Sequence, residues 1–179
     1  MKKSLILLLA VLLLSFSAVC AQGTAAPVEL DWNAIAPAVE QSGVRGDFYA
    51  FDEIAMKVWI PEVFQPAELT DKDREDGYIA YFMTNDAAAA IAVTYLDARG
   101  TDLERFSEIL SEYQEVTDIE NIIVNGFPAL SYIDTEQDSL NVTFATTSGY
   151  LLEFTFAPIS DEGFQAMAAL IAASIQEDN

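Results

Sequence analysis

Residues 125–156 read NGFPALSYIDTEQDSLNVTFATTSGYLLEFTF, and the order of turns and strands in that stretch decides the fold. Asn125-Gly126 makes a turn, because glycine takes positive φ without steric cost and Pro128 forces Phe127 out of the helical region. From Ala129 to Ile133 the side chains alternate, with Leu130 and Tyr132 on one side and Ser131 between them. The polar run Asp134–Asp138 turns the chain into a second alternating segment, in which Leu140, Val142 and Phe144 are interleaved with Asn141 and Thr143. Ser148-Gly149 turns it again, and Tyr150, Leu152, Phe154 and Phe156 then share one face while Glu153 and Thr155 share the other. A period of two carried by aromatic and β-branched residues predicts half-buried antiparallel strands.

The face bearing Phe144, Phe154 and Phe156 needs a cover. Phe164, Met167, Ala168, Ile171 and Ile175 recur at helical spacing just downstream, which predicts a helix over 160–176 packed on that face. Ser160 or Asp161 caps it, and Asp161-Glu162 suits the positive end of its dipole.

Upstream the same order recurs more loosely. Asp47–Asp52 and Ala55–Ile60 read as paired strands, and Tyr78–Thr84, apolar on both sides, as a central one. Ala89–Leu96 alternates as a further strand. Thr101 and Glu104 form a capping box opening a helix that runs to Glu115, with Leu103, Phe106, Leu110 and Tyr113 on its inner stripe. Strand, strand, strand, helix thus describes both halves, without the fixed-period identity of a solenoid or propeller. Asp31–Gln41 places Trp32, Ile35 and Val39 at helical spacing around Pro37, which either starts a short helix or kinks a longer one. The expected class is α+β: a mainly antiparallel sheet with helices packed on it, in one domain over 31–179.

Residues 1–21 are read as a signal peptide outside that fold. Lys2 and Lys3 precede the apolar run Leu5–Leu14, which is too short to span a membrane comfortably, and small residues lead to a cut after Ala21. The rival reading makes Cys20 a lipid-modified N-terminus, although Ser17-Ala18-Val19-Cys20 lacks the leucine of a good lipobox. Residues 22–30 read as a flexible lead-in. The expected place of work is outside the cytoplasm, secreted or periplasmic, with no membrane span in the mature chain.

Cys20 is the one cysteine, so no intramolecular disulfide, thiol nucleophile or cysteine-held metal cluster is available, and there is no histidine to act as general base or zinc ligand. Lys and Arg total 8 against 29 Asp and Glu, a formal charge of −21, and loss of Lys2 and Lys3 takes it to −23. Such a surface repels nucleic acid and anionic lipid, keeps a secreted protein soluble, and is open to cations or a basic protein. No phosphate loop, dinucleotide fingerprint or paired nucleophile and base appears, so the chain reads as no enzyme and no cofactor is expected.

Met56-Lys57-Val58-Trp59-Ile60-Pro61, Asn125-Gly126-Phe127-Pro128-Ala129, the strand Tyr150–Phe156 and the closing Ala173-Ser174-Ile175 resemble the PsbP-like superfamily. That group holds photosystem II accessory proteins and Ran-binding relatives, built as α/β/α sandwiches around a mainly antiparallel sheet. The resemblance covers most of the chain as an order of elements. Where many relatives place Trp a few residues past Ile-Pro, this chain has Phe64. The resemblance implies noncatalytic binding of a protein or small ligand, and it transfers no site residue.

Three stretches bear on a site. Asp71, Asp73 and Glu75 alternate like the start of a calcium loop, but the sixth position is Asp76 instead of glycine and the twelfth is Phe82 instead of a carboxylate. A solvated loop is the plainer reading, so no metal is assigned. Trp59 alternates out of phase with Met56, Val58 and Ile60, which sends it to the opposite sheet face beside Lys57. If no helix covers that end, the pair forms an exposed platform for a ligand or partner. Asn141-Val142-Thr143 matches a glycosylation sequon but falls mid-strand. The leading function is a secreted noncatalytic binding or interaction module. A small-ligand or calcium-binding envelope protein using Asp71–Asp76 comes second and an enzyme third. Oligomeric state stays open.

Overall fold

The computed structural model describes residues 26–178, so the signal-peptide reading, the cut after Ala21 and Cys20 lie outside the described residues. The chain order is β1 (Val28–Leu30), α1 (Trp32–Ser42), β2 (Gly46–Ala50), β3 (Met56–Pro61), β4 (Phe64–Pro66), α2 (Asp71–Glu75), β5 (Tyr78–Thr84), β6 (Ala90–Asp97), α3 (Leu103–Leu110), β7 (Val116–Val124), β8 (Phe127–Asp134), β9 (Ser139–Ala145), β10 (Tyr150–Ala157), α4 (Glu162–Ala173) and β11 (Gln176–Glu177). Eight strands form one sheet in the order β1-β7-β8-β9-β10-β6-β5-β4, and three form a second in the order β11-β3-β2.

The stretch 125–156 supplies the middle of the large sheet. Leu152 sits opposite Phe144 and Phe154 opposite Val142 across the β9–β10 ladder, while Phe154 and Phe156 face Val93 and Ile91 of β6. Leu152, Phe154, Phe156, Ile91 and Val93 are wholly buried. Each such side chain contributes about 1.5–3 kcal/mol by leaving water, which makes this the stable centre. Ile171 and Ile175 close over it from α4 and its C-terminal end. Asp161 caps α4 by accepting the Phe164 N–H at 2.8 Å. The small sheet covers the rest of this face through Met56, Val58 and Ile60.

On the opposite face, Leu103, Phe106 and Leu110 of α3 pack on Leu130 and Tyr132. The helix is shorter than its apolar stripe suggests. Asp102, rather than Thr101, caps it by accepting the Arg105 N–H at 2.8 Å. Tyr113 falls beyond its end and is 53 % exposed.

One strand escapes the sequence reading and three further expectations need correction. First, β7 escapes the alternation rule because a bulge between Thr117 and Glu120 breaks its phase, with Asp118 at φ 52°. Second, Val28–Leu30, read as part of the flexible lead-in, pairs parallel with β7 from Val28↔Ile122 to Leu30↔Val124. Third, β5 is penultimate rather than central, and Tyr81 and Met83 on its second face are only half-buried, lining a cleft with Leu69 and Asp73. Fourth, β2 and β3 belong to a different sheet from β5 and β6, so the two halves do not repeat one architecture.

The Asn-Gly turn does more than reverse the chain. Asn125 and Gly126 sit at φ 48° and 87°. The Asn125 Oδ1 accepts the Trp32 N–H at 2.7 Å, and its Nδ2 donates to the Ala173 and Ile175 carbonyls at 2.9 and 2.7 Å. One side chain therefore ties the start of α1 and the end of α4 to the β7–β8 hairpin.

Candidate functional site

β3 is buried along nearly its whole length: Met56, Val58, Trp59, Ile60 and Pro61 are all out of solvent. Trp59 does leave on the face opposite Val58, as its phase requires, but α1 lies over that face. Its ring meets Trp32 at a centroid distance of 5.6 Å and packs with Val39 and Leu170. Only 5 % of Trp59 is exposed, so the expected platform is a second small core. Gly46 is what allows so close a fit, since a Cβ there would stand 2.6 Å from the indole and 2.5 Å from the Ile60 carbonyl. Lys57 stays near the surface, its ammonium 5.7 Å from the Phe48 ring centroid and 3.0 Å from the Asp178 carboxylate.

The neighbouring strand is the open one. β2 pairs with β3 on one side and with nothing among the described residues on the other. The Phe51 N–H donates to the Met56 carbonyl and the Glu62 N–H to the Arg45 carbonyl. With Tyr49 opposite Val58 and Asp47 opposite Ile60, those two bonds set the phase of the ladder. Hydrogen-bonded and non-bonded pairs alternate, so the backbone groups of Gly46, Phe48 and Ala50 point away from β3.

The side chains of β2 are as available as its backbone. Phe48 is 42 % and Tyr49 39 % exposed, on opposite faces of the strand. Phe48 meets Trp32 edge-on at 5.9 Å, and Tyr49 meets Phe82 edge-on at 5.0 Å, so each ring is held while its outer surface is free. A groove of about 250 Å³ separates β2 from β4, with Tyr49, Ile60, Phe64 and Phe82 among its walls. On the far bank, Pro66 has no N–H to offer, which blunts β4 as a pairing edge. Asp47, Asp52, Glu53 and Glu62 are exposed around β2, against Arg45 and Lys57. The local field is negative.

The acidic stretch behaves otherwise. Asp71–Glu75 is a helical turn, α2, and not a loop. Thr70 caps it by accepting the Asp73 N–H, and the Asp73 carboxylate accepts from the Thr70 N–H at 2.8 Å and hydroxyl at 2.7 Å. Those bonds hold the Asp73 carboxyl below its usual pKa. Lys72 pairs with Asp76. Asp73 is thus committed to a cap, and the helical backbone turns it to the side away from Asp71 and Glu75, so the three carboxylates do not share one face. Among the described residues no group of three or more His, Cys, Asp or Glu is assembled as a metal would need. Asn141 of the sequon is buried and donates to the Ser139 hydroxyl while accepting from Thr155. Nearby, the Tyr132 and Thr143 hydroxyls both donate to one oxygen of Glu153. Burial first, then the Glu153 charge, pushes the Tyr132 hydroxyl far above its ordinary pKa, which suits a structural donor.

No family model matches the chain, and no curated protein matches it in sequence. Among solved structures, cyanobacterial PsbP (CyanoP) from Synechocystis aligns with a TM-score of 0.56 over 75 % of this chain and 93 % of its own, at 13 % identity. The fold is PsbP-like. The Saccharomyces cerevisiae Ran-binding protein Mog1p aligns over 76 % of this chain and 97 % of its own at 12 % identity, but its TM-score of 0.43 is too loose to argue from.

The PsbP-like motif residues converge on one place. Trp59 of β3 donates its N–H to the Ser174 Oγ at 2.8 Å, and that hydroxyl donates to the Ile171 carbonyl at 2.6 Å. Asn125 reaches the flanking Ala173 and Ile175 carbonyls. Trp59, Asn125 and Ser174, one residue from each of three motifs, therefore form a clasp joining two sheets and two helices. Phe64, in the place of the relatives' Trp, is buried against Phe164 and floors the β2–β4 groove. The two exposed aromatics of β2, Phe48 and Tyr49, belong to none of the motifs.

Proposed function

We propose that this protein is a noncatalytic interaction module, working outside the cytoplasm, that takes an extended cationic segment of a partner protein onto the edge of β2. The observation that carries this reading is the unpaired β2 backbone flanked by two exposed aromatic rings. An added strand completes the outward groups of Gly46, Phe48 and Ala50 and lays alternate side chains against Phe48 on one face and Tyr49 on the other. Natural proteins usually blunt such an edge with proline, lysine or a covering loop, as β4 is blunted here by Pro66. The carboxylates around β2 favour a segment that alternates lysine or arginine with apolar residues.

The test is a pair of hexapeptides, one alternating lysine with valine and one alternating glutamate with valine, titrated into the labelled protein while amide signals are followed. The lysine peptide is expected to saturate, with shifts concentrated at 46–50 and slowed exchange of the Phe48 and Ala50 amides. Equal binding of both peptides, or shifts spread over the whole acidic surface, contradicts the reading.

A further inference from the structure

On the α4 side of the large sheet, β7 and β8 extend past the cover that the helix provides. Between that overhang and the helix lies a cleft of about 270 Å³, lined by Glu120, Ser131, Ile133, Leu140, Gln165 and Ala169 together with Asp118 and Ile159. It is remote from β2 in the fold and shares no lining residue with the β2–β4 groove.

Its chemistry is one-sided. Ile133, Leu140 and Ile159 make an aliphatic wall, and Ala169 adds to it from the helix side. Two carboxylates stand at the mouth, and no Lys or Arg lines it. Ser131 is only 5 % exposed, yet its hydroxyl makes no hydrogen bond to any described residue. No buried side-chain oxygen or nitrogen among the described residues is left without a partner, so the Ser131 Oγ keeps its remaining access through the cleft. Glu120 is its direct cross-strand neighbour, so the two side chains share one sheet face. Gln165 and Ala169 stand one helical turn apart on the opposite wall, where the small side chain of Ala169 leaves the space open.

We infer that this cleft binds a small aliphatic primary amine, its ammonium held at Glu120 and Ser131 and its alkyl chain laid along Ile133, Leu140 and Ala169. An ammonium offers three donors and no acceptor, which suits a carboxylate, a hydroxyl oxygen and the Gln165 carboxamide oxygen together. A carboxylate or phosphate ligand would meet Glu120 and Asp118 with no cation to receive it. A neutral alcohol would fill the aliphatic wall but leave the charge at the mouth unused. The volume lies below the roughly 300–1,000 Å³ of drug-sized sites, which restricts the ligand to a short chain.

The probes are n-butylamine, 1-butanol and butyrate at matched pH and ionic strength, titrated into the protein with amide shifts as the readout. Butylamine is expected to saturate with shifts centred on Ser131, Leu140 and Ala169, while 46–50 stays still. Butanol should bind at least tenfold more weakly and butyrate not at all. Glu120→Gln, at an exposed position that leaves the fold intact, should weaken butylamine about tenfold. Ala169→Leu should abolish the effect by filling the space, with Ser131→Ala as the second variant should the leucine disturb packing. Butanol binding as well as butylamine, amine shifts scattered over the acidic surface, or binding unchanged in Glu120→Gln each overturns the inference. Because residues 46–50 report the β2 edge separately, failure here leaves the peptide reading standing, and the reverse also holds.

Discussion

β2 and β3 are neighbours in one short ladder and have opposite fates. Both carry aromatic residues, and Phe48 sits directly across from Trp59. Trp59 is closed in by α1, α4 and the missing side chain of Gly46, whereas Phe48 keeps nearly half its surface in water. The difference arises from position in the sheet rather than from residue type. β3 has β11 and β2 on either side and a helix on its outer face; β2 has one neighbour and ends the sheet. An aromatic on an inner strand stabilises the fold, and the same kind of residue one strand outward is free to meet something else.

The strongest way to break that comparison is to empty the buried side of it. Trp59→Ala is expected to cost about 3–5 kcal/mol in urea unfolding, the range for removing a packed aromatic. A loss under about 1 kcal/mol would mean that Trp59 is an exposed platform after all. Asn125→Ala comes next. It deletes the acceptor of the Trp32 N–H and the donors to Ala173 and Ile175. With two carbonyls left short of a partner, a loss of about 2–4 kcal/mol is expected by thermal or urea melting. Asn125→Asp keeps the acceptor but sets a carboxylate oxygen against both carbonyls, so at neutral pH it should cost at least as much as Ala.

How much of this contrast was legible in the residues is clear from those same positions. The alternation in 125–156 placed β8, β9 and β10 and the helix that covers them, because burial on one face leaves a period of two. The phase of Trp59 correctly sent it away from Val58. Its burial depended on α1, joined to it by contacts between residues far apart in the chain, and no local pattern reports those. β7 was missed because a bulge at Asp118 breaks the period, and β1 because three residues are too few to show one. The openness of β2 could not be read from Gly46–Ala50 either, since an edge is defined by the strand that is not there. Asp71–Asp76 read as loop because its charges hide a capped helical turn that buries none of its side chains.

A smaller effect sharpens the exposed side. Phe48→Ala should change stability by only about 1 kcal/mol, the worth of its edge contact with Trp32, while abolishing capture of the lysine–valine peptide. A variant that loses both stability and binding would place Phe48 with the core. The smallest expected effect is at α2. Asp73 has its folded pKa lowered by the Thr70 hydrogen bonds, so its contribution to the cap is complete above the unfolded-state pKa and is lost as pH falls through the lowered folded value. Amide protection in 71–75 should fade in acid while that of β9 and β10 holds, and Asp73→Asn should remove the pH dependence.

The central claim, that β2 presents a free edge, is tested most directly by amide hydrogen exchange of the unliganded protein across residues 46–51. The ladder phase predicts alternation: Asp47, Tyr49 and Phe51 protected by their bonds to β3, Phe48 and Ala50 exchanging as fast as the open loops. Phe48 and Ala50 protected as well as Tyr49 would show the edge already covered, and the account of a surface held open for a partner strand would be wrong.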